Sequence, residues 1–128
     1  MFNKFLKSHH PARQVKSFKY AFTGLFHALL NEANFRIQVT FAFFVLVIGS
    51  ILGLSHLEWA VIVLANGFLL AAELLNTVVE EFMDYLITDY NEGVKVIKDL
   101  SAGFVLIAGL TNIVISILIF LPKLSSLV

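Results

Sequence analysis

Residues Trp59–Phe82 read WAVIVLANGFLLAAELLNTVVEEF, and the fold turns on the point where this stretch changes character. The first fourteen residues, Trp59 to Ala72, carry no charge, whereas the remainder holds Glu73, Asn76, Glu80 and Glu81. Two longer uncharged runs flank it, 21 residues between Arg36 and Glu58 and 23 between Asp99 and Lys123. Each is long enough for the ~20-residue helix that crosses a bilayer. The middle segment is apolar only as far as Ala72, so its second half has to meet water, protein or a polar site.

The rest of the composition agrees. Of 128 residues, 59% are hydrophobic and only 14% charged, with a mean hydropathy of +0.87. Ordinary soluble domains carry roughly 25% charged residues, so lipid is the expected solvent of this chain. These features predict an all-α integral membrane unit, residues 1–128, with spans at about 37–54, 57–86 and 98–121. Pro122 and Lys123 are expected to stop the last span. Net charge is zero and cysteine is absent. Neither nucleic-acid binding by bulk charge nor a disulfide framework is therefore supported.

Ahead of the spans, Phe18, Phe22, Leu25, Phe26, Leu29, Leu30 and Ala33 recur at the spacing of one helical face. They predict an amphipathic helix over about 14–36, lying on the membrane surface. Glu32 falls within its greasy stripe, which is explained either by an i, i+4 pair with Arg36 or by a site facing inward. Lys4, Lys7, Arg13, Lys16 and Lys19 precede the first span, while the Ser55–Glu58 connection has no Lys or Arg. The positive-inside rule then puts the N-terminus and the 86–97 loop in the cytoplasm and the C-terminus outside the cell membrane. The basic N-terminal region leads into an amphipathic stretch, unlike a cleaved signal. Gly49 and Gly53 form a GxxxG spacing that admits a neighbouring helix. Trp59 is expected as an interfacial anchor. His9, His10, His27 and His56 show no ligand spacing and read as interfacial or solvated.

On one continuous helix, Glu73, Asn76, Glu80 and Asp84 fall within about 80° of one another, and Glu81 lies off that face. Buried carboxylates need a cation, a metal or protons, because unpaired charge in low dielectric is costly. Lys98-Asp99 opens the last uncharged run and is expected near a helix N-terminus, where unpaired amides and the helix dipole favour phosphate. Together these groups contain what phosphoryl transfer requires: carboxylates for a divalent cation, a cation for phosphate and an acceptor for the hydroxyl proton. The chain has neither GxxxxGK[ST] nor GxGxxG, so a nucleotide site would be made by helix faces and loops. The same polar face suits a small proton- or cation-coupled membrane protein, or a structural helical subunit whose carboxylates only pair between copies.

Three blocks resemble one family in order and spacing: Asn31-Glu32-Ala33-Asn34-Phe35-Arg36; Glu73-Leu74-Leu75-Asn76-Thr77-Val78-Val79-Glu80 with Asp84; and Lys98-Asp99-Leu100-Ser101-Ala102-Gly103. The likeness, over roughly Lys16 to Lys123, is to the small prokaryotic diacylglycerol kinases and their undecaprenol kinase relatives. It implies a three-span homotrimer whose composite sites transfer the ATP γ-phosphate to a lipid hydroxyl. By that resemblance Glu73 is the general base and Asn76 places the reacting groups. Glu32 and Glu80 bind the magnesium of the nucleotide. Lys98 and Asp99 contact ATP, as do Arg13, Tyr20 and the Asp89-Tyr90-Asn91 loop, and Glu73 and Ala102 meet the lipid. Asn91 stands where the family usually has His, and Asp89 where it has Glu. Val78, Glu81 and Ile97 also depart from the usual residues, without removing an implied catalytic group. The Leu57-Glu58-Trp59 and Ile119–Leu124 segments look more like the undecaprenol kinase branch.

Overall fold

The computed structural model describes residues 11–126; Lys4, Lys7, His9 and His10 lie outside them. Among the described residues four helices follow in order: α1 over Pro11–Asn31, α2 over Ala33–Leu52, α3 over His56–Leu86 and α4 over Glu92–Ser125. There is no strand among the described residues. The last three helices are long and apolar enough to cross a membrane. The all-α, three-span class expected from the uncharged runs is what forms.

Local chemistry explains where each helix starts and stops. Gly53 ends α2 in the left-handed region, at φ 63° and ψ 61°, and its N–H bonds the Gly49 carbonyl. Glycine suits that conformation because it has no Cβ to clash. α3 opens with a capping box: the Glu58 N–H donates to Ser55 Oγ, and the Ser55 N–H donates to Glu58 Oε2. Two amides without helical partners are satisfied reciprocally. α4 opens with Asn91, whose Oδ1 accepts from the N–H groups of Gly93 and Val94 at 2.8 and 3.2 Å.

Three boundaries differ from expectation. The surface helix ends at Asn31, not near residue 36, because Glu32 leaves helical geometry at φ −96° and ψ 114°. The break leaves backbone bonding on both sides intact, since Glu32 N–H reaches Ala28 O at 2.8 Å and Arg36 N–H reaches Glu32 O at 3.2 Å. Arg36 turns its guanidinium back to the Leu30 carbonyl at 2.8 Å, closing the end of α1, which needs such acceptor partners. α4 begins six residues before Lys98, since Asn91 and not the Lys-Asp pair supplies the cap. It also runs through Pro122 to Ser125. Proline lacks only the N–H that would bond back to the carbonyl four residues earlier, and its own carbonyl still accepts from the Ser126 N–H at 3.2 Å.

α1 leaves Phe18, Phe22, Leu25 and Phe26 exposed and buries Ala28, as a helix laid on a lipid surface would. α3 is the centre of the fold and packs along α4 over much of its length. Its buried residues Ile62, Ala65, Asn66, Leu69, Ala72, Glu73 and Asn76 recur every three or four positions and form one stripe. One core cluster joins Val45, Leu54 and Ile62 with Trp59, Ile115, Ile119 and Phe120; another joins Leu69, Ala72 and Ala108 with Val105. Trp59 therefore packs inward. Gly49 makes room within the chain for Leu54 and the Trp59 ring, so the GxxxG spacing serves this contact and the Gly53 cap. Between the clusters, Asn112 Nδ2 donates to Asn66 Oδ1 at 3.3 Å, and Asn66 Nδ2 donates to Ile62 O at 2.9 Å. This pair satisfies two amides buried in apolar surroundings and ties α3 to α4. α4 is the most apolar of the three long helices and the least buried.

Candidate active site

The buried stripe of α3 changes from apolar to polar at Glu73, and exposure then rises along the helix. Glu73 is 3% exposed and Asn76 8%, Glu80 is half-buried, and Asp84 and Glu81 are exposed. Counted from His56 at ~1.5 Å per residue, Glu73 stands ~26 Å along the helix, Glu80 ~36 Å and Asp84 ~42 Å. A hydrocarbon core is ~30 Å thick, and a span entered at His56 would bring Glu73 near its far edge and Asp84 beyond it.

Neighbouring helices brace the ladder from two sides. From α2, Gln38 Nε2 donates to Glu73 Oε2 at 2.6 Å. From α4, Ser101 Oγ donates to Asn76 Oδ1, and Asn76 Nδ2 in turn donates to Glu80 Oε1 at 3.0 Å. The Asn76 amide is thus fixed at both ends. Lys98 Nζ crosses from α4 to the carboxylate of Asp84, at 2.9 and 3.0 Å from its two oxygens. Lys95 pairs with Asp99 on the outer face of α4, a one-turn pair exposed on both sides.

The site residues named from the sequence fall into three places. Glu73, Asn76 and Glu80 share one hydrogen-bonded wall with Gln38 and Ser101. Asp84, Asp89, Tyr90, Asn91, Lys98 and Asp99 line an open depression where α3 passes into α4, together with Thr88 and Lys95. Arg13 and Tyr20 stand exposed on α1, and Glu32 sits half-buried at the break between α1 and α2. Ala102 is exposed on α4, one residue beyond Ser101. Lys98 and Asp99 lie inside the helix, away from its unpaired first-turn amides, so their draw on a phosphate rests on side chains. Asn91 is engaged as the α4 cap.

Gln38 and Ser101 were absent from the sequence-derived set. Each is a polar residue at the edge of an apolar run, which was the signal available. What it meant depended on a partner 35 residues away for Gln38 and 25 for Ser101.

Of the two carboxylates that the resemblance implies for magnesium, Glu80 is half-buried on α3 and Glu32 half-buried at the break between α1 and α2. Glu73 and Glu80 are each held by an amide, of Gln38 and of Asn76. Among the described residues no three His, Cys, Asp or Glu side chains gather into a cage. Magnesium commonly takes one or two protein carboxylates and completes its shell with phosphates and water.

Comparison with known proteins shows the family. A family model described as prokaryotic diacylglycerol kinase matches residues 19–120. The undecaprenol kinase of Bacillus subtilis is 37% identical over 112 residues, covering 88% of this chain and 91% of that protein. A diacylglycerol kinase of Synechocystis is 35% identical over 112 residues, covering 87% of this chain and 64% of that longer protein. A diacylglycerol kinase of Helicobacter pylori is 31% identical over 101 residues, covering 73% of this chain and 79% of that protein.

Proposed function

This chain belongs to the prokaryotic diacylglycerol kinase family and is a membrane-embedded lipid kinase, and on that premise we propose that it moves the γ-phosphate of ATP to undecaprenol, ahead of diacylglycerol. The observation that carries the mechanism is the Glu73 carboxylate, 3% exposed and held by the Gln38 amide. Both acceptors are greasy molecules ending in one hydroxyl. Such a molecule lies in the bilayer with that hydroxyl at the interface, at the depth of Glu73.

Glu73 accepts the hydroxyl proton as the oxygen attacks the γ-phosphorus, the part a positioned general base plays. Asn76, held between Ser101 and Glu80, fixes the geometry beside it. Lys98, Asp99 and the Asp89-Tyr90-Asn91 loop receive the nucleotide in their shared depression, with Tyr20 and Arg13 closing on it from α1. Glu80 and Glu32 hold magnesium. When bound, that ion offsets the negative charge of the phosphates. In a homotrimer, α1 of one copy closes on the depression of its neighbour and the exposed, apolar α4 is covered. The N-terminus and the α3–α4 connection face the cytoplasm, where ATP is available, and the C-terminus lies outside. Undecaprenol is favoured by the Leu57-Glu58-Trp59 and Ile119–Leu124 segments.

Purified protein in detergent micelles, given ATP, magnesium and each lipid separately, tests this reading. Phosphorylated undecaprenol is expected in excess of phosphatidate, and chelation of magnesium is expected to abolish both. A preference for diacylglycerol overturns the acceptor assignment; turnover that survives chelation overturns the role of the metal.

A further inference from the structure

Gln38 is the group that holds the proposed base. Its Nε2 donates to Glu73 Oε2, while its Oε1 is buried and has no hydrogen-bond partner. With no partner on Oε1, no second hydrogen bond fixes which end of the amide faces Glu73. The reaction changes which end suits it. When the lipid hydroxyl gives up its proton, Glu73 becomes a carboxylic acid with an O–H to donate.

We propose that Gln38 is a positioning residue for Glu73, holding the side chain in both of its protonation states. It donates through Nε2 to the carboxylate before the reaction. After an inversion of the amide, it accepts through Oε1 from the acid that the reaction forms. The two ends of an amide are nearly identical in shape, so the inversion needs no repacking. The balance is simple. The lipid O–H and the bond from the γ-phosphorus to the ADP oxygen break, the lipid O–P bond and the Glu73 O–H form, and ADP leaves. Glu73 later returns its proton to water. A lysine at position 38 would neutralise the carboxylate, whereas an amide orients it and leaves its charge for the incoming proton.

The placement of Gln38 follows from the backbone. It lies in the second turn of α2, just beyond the Glu32 break, and Arg36 fixes that break by bonding the Leu30 carbonyl. Gln38 thereby reaches Glu73 from α2, whereas the Ser101–Asn76 contact comes from α4. The inference rests on the reading of Glu73 as the base, and the experiment separates the two.

Gln38→Met keeps the length of the side chain and removes donor and acceptor. Losing a hydrogen bond to a charged group in the transition state is expected to lower kcat roughly 10- to 100-fold. KM for ATP and for the lipid is expected to stay within about twofold, since uniform binding is untouched. Gln38→His, which donates through one ring nitrogen and accepts through the other, is expected to recover most of the loss. Normal kcat in Gln38→Met, a loss confined to KM, or a histidine variant as poor as the methionine one overturns the proposal. If Gln38→Met does not accumulate in membranes, Gln38→Asn is read in its place: its amide is one methylene too short, and unchanged kcat again overturns the inference. Glu73→Gln run alongside identifies which idea has failed. An active Glu73→Gln removes the base and this inference with it; an inactive Glu73→Gln beside a normal Gln38→Met removes the inference alone.

Discussion

The two ends of the long-helix bundle each join a lysine to a carboxylate across helices, yet the two pairs belong to different kinds of structure. At the Trp59 end, Lys123 Nζ lies 3.1 Å from Glu58 Oε2 and also reaches toward the Gly53 carbonyl. Glu58 is already part of the α3 capping box, and beside it Val45, Leu54, Ile62 and Trp59 form an apolar core. Every charge there closes the chain on itself. At the other end, Lys98 takes Asp84, while Glu73 and Glu80 are held by neutral amides. The presence of an ion pair therefore says little about function. Carboxylates held by amides, on a face that is otherwise buried, set apart the end where we propose the chemistry is done.

That contrast can be broken by mutation. The largest effect is expected from Glu73→Gln, which should reduce kcat by about 10²–10⁴-fold, the usual contribution of a general base. Glu58→Gln, the matching change at the other end, should leave kcat unaltered; a phosphotransfer assay on both variants tests this, and equal losses would erase the distinction. Next comes Ile62→Ala. Ile62 is 0% exposed in the Trp59-end core, and its truncation should cost about 2–5 kcal/mol of stability. Thermal unfolding in detergent measures that cost, and turnover per folded molecule should be preserved. The smallest effect is expected from Ser55→Ala, which removes the cap of α3 and should cost about 0.5–2 kcal/mol with activity intact. A fall in kcat for either stability variant would mean that the two ends are coupled through α3.

Much of this difference was legible before any coordinates. Uncharged runs announced three spans, and the helical period alone put Glu73, Asn76 and Glu80 on one face while setting Glu81 aside. The break at Glu32 was not legible. Glu-Ala-Asn-Phe-Arg is compatible with helix at every position, and the greasy spacing of α1 continues through it to Ala33. The start of α4 was misplaced because a change in hydropathy marks where lipid begins, whereas a helix begins at its cap, here Asn91. Gln38 and Asn112 were hidden for a related reason. A lone amide in an apolar run has no periodic partner, and its meaning is set by whichever helix lies across from it. Roles within the carboxylate face came from family resemblance, since geometry gives Glu73 and Glu80 the same side of α3.

The length of α3 has a consequence for the lipids around it. Its 31 residues span ~46 Å, well beyond the hydrocarbon, with Glu73 standing close to the boundary. A helix held in a bilayer of the wrong thickness adjusts by tilting or by deforming the lipid, at a cost of fractions of a kcal/mol per Å. On the proposed role of Glu73, a thicker or thinner acyl layer would shift its carboxylate relative to the acceptor hydroxyl. Turnover is therefore expected to vary with acyl-chain length, which assays in bilayers of different chain length check.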